Sequence, residues 1–309
     1  MQPEFNRVQF IWGCLPERQF ESYWLSQILF PLNITSIQAS SGLNPEELLP
    51  HVPKVLIESG LLFLERQVAI SRLERLQIER SQRIDLLVQN GPFIVLHISD
   101  EEGFDGDTLY TMLPKDVPVW RNFPYPRFAQ TDQISSFPIG PRREFFGFQP
   151  FVLAADRMYP WTFMGTLWMS GSRTRAVSLF LRSLPNGQYF GGKQFGIGLP
   201  LDIYKRYLMS SVFALCPEGD RHLDTFRLYE SLQMGCIPLV VDRFEQAKSI
   251  LGDSFPIEFF EDWEDALSFA MLALESPVRI NEMQKMCQSW WINFKADLSI
   301  QIKHSLFRE

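Results

Sequence analysis

Arg227 and Glu230 stand three residues apart in the run SVFALCPEGDRHLDTFRLYESLQMGCIPLVV, which spans residues 211–241. A guanidinium in the first turn of a helix can offer a forked pair of hydrogen bonds to a diphosphate, where free N–H groups and the positive end of the helix dipole already favour anions. A carboxylate three residues on lies on the same helix face and can accept both hydroxyls of a ribose. Together they turn a general anion site into one that prefers a nucleoside diphosphate. Ahead of them, Pro217 and Gly219 open a polar loop that can bring backbone close to a ligand, and Asp224 or Thr225 is placed to cap the helix. An isolated Arg-x-x-Glu is more often an intrahelical pair on a solvated face. The strand, loop and glycine context argues for the ligand.

That context predicts a buried parallel strand over 212–216 ended by Pro217, a helix over 226–234 stopped by Gly235, and a second strand over 237–241. In open parallel sheets ligands sit beyond the carboxyl ends of the strands. Upstream, the stretch 161–168 restarts an apolar strand pattern in which Gly165 ends a strand, and the small-residue loop 170–175 carries Arg173 and Arg175 ahead of a helix expected over 176–184. These two guanidiniums form a second candidate diphosphate clamp; cations in a first helical turn oppose the dipole and call for a compensating anion. A further buried strand, 93–98, ends at Ser99-Asp100-Glu101. Asp100 and Glu101 are the candidate general bases, with capping of the next loop as their structural alternative. His97, within the strand, reads as a packed core histidine.

The segment resembles the donor-binding region of the exostosin-type glycosyltransferases, whose pattern runs close to SxFxLxPxG, SxRxxEA and GCxPV. The matching residues are Ser211, Phe213, Leu215, Pro217 and Gly219, then Arg227 and Glu230, then Gly235, Cys236, Ile237 and Pro238, with Thr225 in place of the usual serine and Ser231 in place of alanine. His97-Ile98-Ser99-Asp100-Glu101, Trp120-Arg121-Asn122-Phe123 and Pro138-Ile139-Gly140 are similar to stations of the branch that includes the ribitol xylosyltransferases. The resemblance covers residues 93–241. It implies the GT-B fold: two Rossmann-like domains facing each other across a cleft, the donor held mostly by the second, and a C-terminal helix crossing back. It also implies a UDP-linked sugar donor, a glycan or other hydroxyl acceptor, inversion at the anomeric carbon, and neither a metal nor another cofactor. A nucleotide-sugar epimerase or hydrolase on the same fold, and a non-catalytic nucleotide-sugar-binding scaffold, are the alternatives.

The rest of the chain agrees with an α/β enzyme. Its 309 residues exceed one core, so two domains are expected, 1–150 and 151–285, with 286–309 as the returning helix that Trp290 and Trp291 would anchor. The net charge of −7 provides no basic field for nucleic acid or anionic membrane. Cys14, Cys216, Cys236 and Cys287 are widely spaced without a C-x-x-C pair, which suits reduced core thiols rather than disulfides or zinc. The start lacks a signal-peptide pattern and no window has the apolar length of a membrane span, so no integral membrane segment and a cytoplasmic location are expected. The first half should hold strands over 8–12 and 34–39, a helix over 17–30, a helix opening at Pro45, and a long amphipathic segment, 61–88, whose charges form a solvated face. Strands are also expected at 117–121 and 135–140, and helices over 264–274 and 281–303. Asp105-Gly106-Asp107 has a manganese-binding form but reads as a surface turn, and the glycine-rich stretch 191–198 lacks the spacing of a phosphate loop, reading instead as a mobile loop.

Overall fold

A computed structural model of the chain describes residues 6–14, 21–60, 70–128, 131–146, 152–167, 171–192, 198–219 and 221–307. The chain divides into two compact units, residues 1–139 with 296–309, and residues 140–295. These boundaries, after residues 139 and 295, fall eleven and ten residues from the expected ones at 150 and 285.

The first unit is built on a six-stranded sheet in which every neighbouring pair is parallel. Its strands are β1 (Arg7–Trp12), β2 (Asn33–Gln38), β3 (Lys54–Ser59), β4 (Phe93–Ile98), β5 (Val119–Arg121) and β6 (Ile134–Ser136), in the order β2-β1-β3-β4-β5-β6. Helices α1 (Ser22–Leu29), α2 (Ile70–Gln89) and α3 (Phe104–Thr111) accompany it. Ile11, Leu56 and Val95 from the central strands meet Ile84 and Leu87 of α2 in one buried core. β3 and β4 are buried at every position, the pattern of parallel strands covered on both faces.

Two expectations for this half are corrected. Pro45–Glu47 makes one 3-10 turn and no longer helix, and it leads to β3, a strand the sequence reading passed over. Lys54 and Glu58 disguise it: both are buried, Lys54 donating to the carbonyls of Val52 (3.1 Å) and Asn90 (3.2 Å), and Glu58 taking two arginines. The charges of α2 are likewise not all solvated. Arg80 and Arg83 are 0% and 3% exposed and close on Glu58, because that buried carboxylate needs counter-charge. The expected helical segment 61–69 lies outside the described residues, as does 17–20.

The second unit holds four parallel strands, β7 (Tyr159–Thr166), β8 (Gln188–Gly192), β9 (Ser211–Leu215) and β10 (Ile237–Leu239), in the order β10-β9-β7-β8. Around them lie α4 (Ser172–Ser183), α5 (Leu201–Met209), α6 (Phe226–Gln233), α7 (Gln246–Leu251) and α8 (Trp263–Leu274). Trp161, Phe163, Phe180 and Phe213 are fully buried at its centre. The long α9 (Pro277–Phe307) contributes to both units. In the second, Trp290 Nε1 donates to Ser254 Oγ (3.2 Å) and Trp291 Nε1 to Gln233 Oε1 (2.9 Å). In the first, Lys303 Nζ donates to the Phe30 carbonyl (3.1 Å) and Trp120 Nε1 to Ser305 Oγ (3.3 Å). The two tryptophans thus fix the helix to the second unit, and its last turns, not they, join the first. Among the described residues no helix is long and apolar enough to cross a membrane.

Both sheets follow the doubly wound order in which the second strand of the unit lies on one side of the first and the third and fourth on the other. Each therefore has a switch point, between β1 and β3 in one unit and between β7 and β9 in the other, where ligands of such sheets bind.

Candidate functional site

The switch point of the second unit collects most of the expected donor residues. Thr225, in extended conformation, is the N-cap of α6, and Arg227 is in its first turn. The guanidinium lies over the end of β7. Its Nε and Nη2 point to the Met164 carbonyl at 3.4 Å, and its centre sits 4.4 Å from the Phe163 ring centroid. Gly165 makes this possible, since a β-carbon there would come within 2.4 Å of Arg227 Nη2. Two atoms in the cluster are buried without a hydrogen-bond partner, Arg227 Nη1 and Thr225 Oγ1. Buried donors are ordinarily satisfied, so an unpaired cationic N–H and an unpaired hydroxyl in the first turn and cap of one helix are groups that an anion could satisfy.

Arg173 braces the same edge. It is 6% exposed, and it donates through Nη1 to the Thr166 carbonyl (2.7 Å) at the end of β7 and through Nε to the Glu218 carbonyl (2.8 Å) in the loop after β9. Helix α4 begins at Ser172, four residues earlier than expected, so Arg173 and Arg175 lie in its first turn. Gly219, whose N–H bonds to the His222 carbonyl (2.6 Å), and Pro217 shape the loop that Arg173 holds. Arg175 is different. It pairs with Glu264 (2.9 Å), and both side chains are about half exposed. That glutamate is the anion its place against the helix dipole requires.

Glu230 is not paired with Arg227. It is 2% exposed and holds Arg142 Nε on Oε1 and the Tyr204 hydroxyl on Oε2 (2.8 Å). Burial and the neighbouring Glu230 charge push the Tyr204 hydroxyl well above its ordinary pKa, so it stays a donor. Burial works against the Arg142 charge, yet Glu230 beside it pushes the guanidinium further up. Arg142 and Tyr204 escaped the sequence reading because they are 88 and 26 residues from Glu230. Cys216, behind Arg227, is pushed up to about 12 by burial and is an inert core thiol.

Beside this cluster is a cavity of about 530 Å³ lined by Gly171, Arg175, Glu218, Arg243, Phe244 and Trp263, among others. Trp263 is buried, its Nε1 donating to Ser172 Oγ (3.3 Å), whereas Phe244 is 82% exposed. The cavity is lined by residues that follow β9 and β10, at the carboxyl edge of the sheet, and by the start of α4.

In the first unit Asp100 is 4% exposed and engaged on both oxygens. Oδ1 accepts from the Asp105 N–H (3.3 Å), and Oδ2 from the Gly106 N–H and Arg121 Nη2 (3.2 Å each). It caps α3 and fixes Arg121, which is the structural alternative allowed by the sequence. Glu101 is half-buried, and its backbone carbonyl accepts from the Tyr125 hydroxyl. His97 is buried, as expected, with Nδ1 on the Tyr110 hydroxyl (2.9 Å) and Nε2 on Asp105 (3.0 Å). The surface turn expected at 105–107 is instead the first turn of α3. Asp105 is buried there because it also takes Arg80 Nη1 (2.9 Å). Glu21, which the sequence reading did not single out, is the N-cap residue of α1 and is 2% exposed. Among the described residues no group of three His, Cys, Asp or Glu side chains is gathered to hold a metal ion. The four cysteines are free, and the stretch 193–197 lies outside the described residues.

No protein-family model matches the chain, and no curated protein sequence does. The exostosin resemblance rests on its motif residues alone. Solved structures do match. One is an alpha-glucosyltransferase in complex with UDP and a 13-mer DNA containing a HMU base, 8% identical, covering 98% of this chain and 99% of the other at a TM-score of 0.54. A second alpha-glucosyltransferase complex, with UDP and a 13-mer DNA containing a central A:G mismatch, is also 8% identical and covers 92% and 94% at 0.51. A protein assigned as a UDP-N-acetylglucosamine 2-epimerase from Listeria monocytogenes is 10% identical and covers 98% and 97% at 0.51. With its two parallel-sheet, Rossmann-like units, the chain has the GT-B fold that these structures share.

Proposed function

We propose that the chain is a glycosyltransferase that binds a UDP-linked sugar on its second unit and passes the sugar, with inversion, to a hydroxyl of a glycan or similar acceptor. The observation that carries this reading is the buried, unpartnered Nη1 of Arg227 at the β7/β9 switch point. A diphosphate there takes Nη1, the Thr225 hydroxyl and the N-terminal N–H groups of α6. These stabilise the charge that builds on the leaving group, which needs no metal in this reading. Glu230 already accepts one hydrogen bond on each oxygen and keeps lone pairs for ribose hydroxyls. The cavity beside Trp263 and Phe244 gives the base an aromatic lining. UDP is bound in both alpha-glucosyltransferase structures, which supports the choice of nucleotide. Their DNA is not carried over, since a net charge of −7 disfavours a polyanionic acceptor.

Thermal unfolding in the presence of UDP, GDP, CMP or ADP tests the donor site. UDP at about a hundred times its dissociation constant should add ~2.7 kcal/mol to stability. Arg227→Met should weaken UDP by roughly ten- to a hundredfold, the loss of a charge-assisted bond. Gly165→Ala, which pushes the guanidinium aside, should weaken it by about tenfold. Stabilisation by no nucleotide, or equal stabilisation of both variants, contradicts the assignment.

A further inference from the structure

Arg227 and Glu230 stand three residues apart on α6, a spacing at which arginine and glutamate readily pair. Among the described residues they do not. Glu230 is taken instead by Arg142, whose Nε donates to Oε1, while the Tyr204 hydroxyl donates to Oε2 at 2.8 Å. Both partners belong to the second unit, Arg142 just ahead of the 3-10 turn Arg143–Phe145 and Tyr204 in α5. The Arg142 guanidinium is fixed in turn. Its centre lies 5.4 Å from the Phe145 ring centroid and 5.7 Å from that of Tyr204, and these two rings meet edge to face. We propose that Arg142 is a positioning residue of the donor site: by holding the Glu230 carboxylate it keeps Arg227 unpaired and open to the diphosphate. This rests on the donor-site reading above and gives the reason why Arg227 Nη1 has no partner within its own helix.

The balance of charge supports this role. Glu230 is 2% exposed, and a carboxylate so far from water needs a counter-charge. Two guanidiniums are close: the charges of Arg227 and Arg142 both act on the Tyr204 hydroxyl, which is itself bonded to Glu230. Glu230 neutralises one of them, so the cluster keeps one positive charge for a ligand. The cation that is matched is the one water can also reach, since the Arg142 side chain is 36% exposed, whereas Arg227 Nη1 is buried. Lys205, the other cation over the Phe145 ring, donates to the Glu144 carbonyl. Without Arg142, the cation left to Glu230 is therefore Arg227, one turn back on its own helix. Pairing there would fill Nη1 and set a negative charge where the phosphates are to bind.

Calorimetric titration of UDP into the wild type, Arg142→Gln, Glu230→Gln and the double variant tests the proposal. Arg142→Gln should weaken UDP by roughly ten- to a hundredfold, as if a charge-assisted bond from Arg227 were lost. Removing the carboxylate as well should undo that loss. The double variant should bind UDP within about threefold of Glu230→Gln alone, and more tightly than Arg142→Gln. Arg142→Lys, which keeps the charge, should bind more tightly than Arg142→Gln. An arginine that only braced its loop, or that touched the phosphate itself, would leave the double variant as weak as Arg142→Gln or weaker. That result, or wild-type affinity in Arg142→Gln, overturns the proposal and leaves the donor site standing. Should Arg142→Gln fail to fold, the double variant strands no buried charge and still decides: UDP affinity about tenfold below that of Glu230→Gln overturns the proposal. Failure of the wild type to bind UDP removes the donor-site reading itself, and the proposal with it.

Discussion

A buried carboxylate reports on itself through the pH dependence of stability. The Glu21 carboxyl titrates near 4.5 in the unfolded chain and near 7 in the folded one, because burial penalises its charge. Its folded pKa is raised, so the stability it contributes is fully present below about pH 4.5 and is lost as pH rises through 7. Relative to Glu21→Gln, the wild type should lose about 3 kcal/mol across that window in urea titrations at stepped pH. Parallel curves for the two proteins would mean that the carboxyl is solvated. Sequence made only part of this residue scale legible. Gly165, Thr225 and Arg227 could be read because their roles follow from local order along a strand, a cap and a first turn. Arg142, Tyr204 and Ser99 could not, since each acts on a residue far along the chain, and burial of Glu21 is a product of tertiary packing rather than of its neighbours in sequence.

Among the elements, β3 and α2 show how charge can hide structure. The sequence KVLIES breaks an apolar strand pattern with Lys54 and Glu58, and α2 carries enough arginine and glutamate to pass for a solvated helix. The fold pairs these exceptions instead. Glu58 takes Arg83 Nη2 at 2.7 Å and Arg80 Nε at 3.1 Å, all three side chains being at most 3% exposed, and Gly13 leaves room for the carboxylate. Breaking a buried pair by removing one partner typically costs 3–5 kcal/mol. Glu58→Gln should therefore destabilise the protein by about that amount in urea unfolding, while Arg75→Gln, on the exposed part of the same helix, should change it by less than ~1 kcal/mol. Similar midpoints for the two variants would contradict the structural role of this cluster. By contrast β4, β9 and α6 matched their expected spans closely, because uninterrupted apolar runs and a glycine stop are signals that need no distant partner.

For the whole molecule, length and motif order indicated two α/β units, but not where the chain passes between them. The first domain was expected to run to residue 150, yet residues 140–146 belong to the second unit. The reason is visible in Arg142, committed to Glu230, and in Phe145, which packs against Tyr204 with ring centroids 5.5 Å apart. Similarly α9 changes unit at residues 295 and 296, inside an unbroken helix that offers no linker composition to read. The central claim is that the second unit's switch point binds a nucleoside diphosphate, and a crystal structure of the protein with UDP tests it most directly. The diphosphate should lie within hydrogen-bond distance of Arg227 Nη1 and Thr225 Oγ1, with the uridine in the cavity beside Trp263. UDP bound elsewhere, or Arg227 Nη1 still without a partner at saturating UDP, would contradict the account.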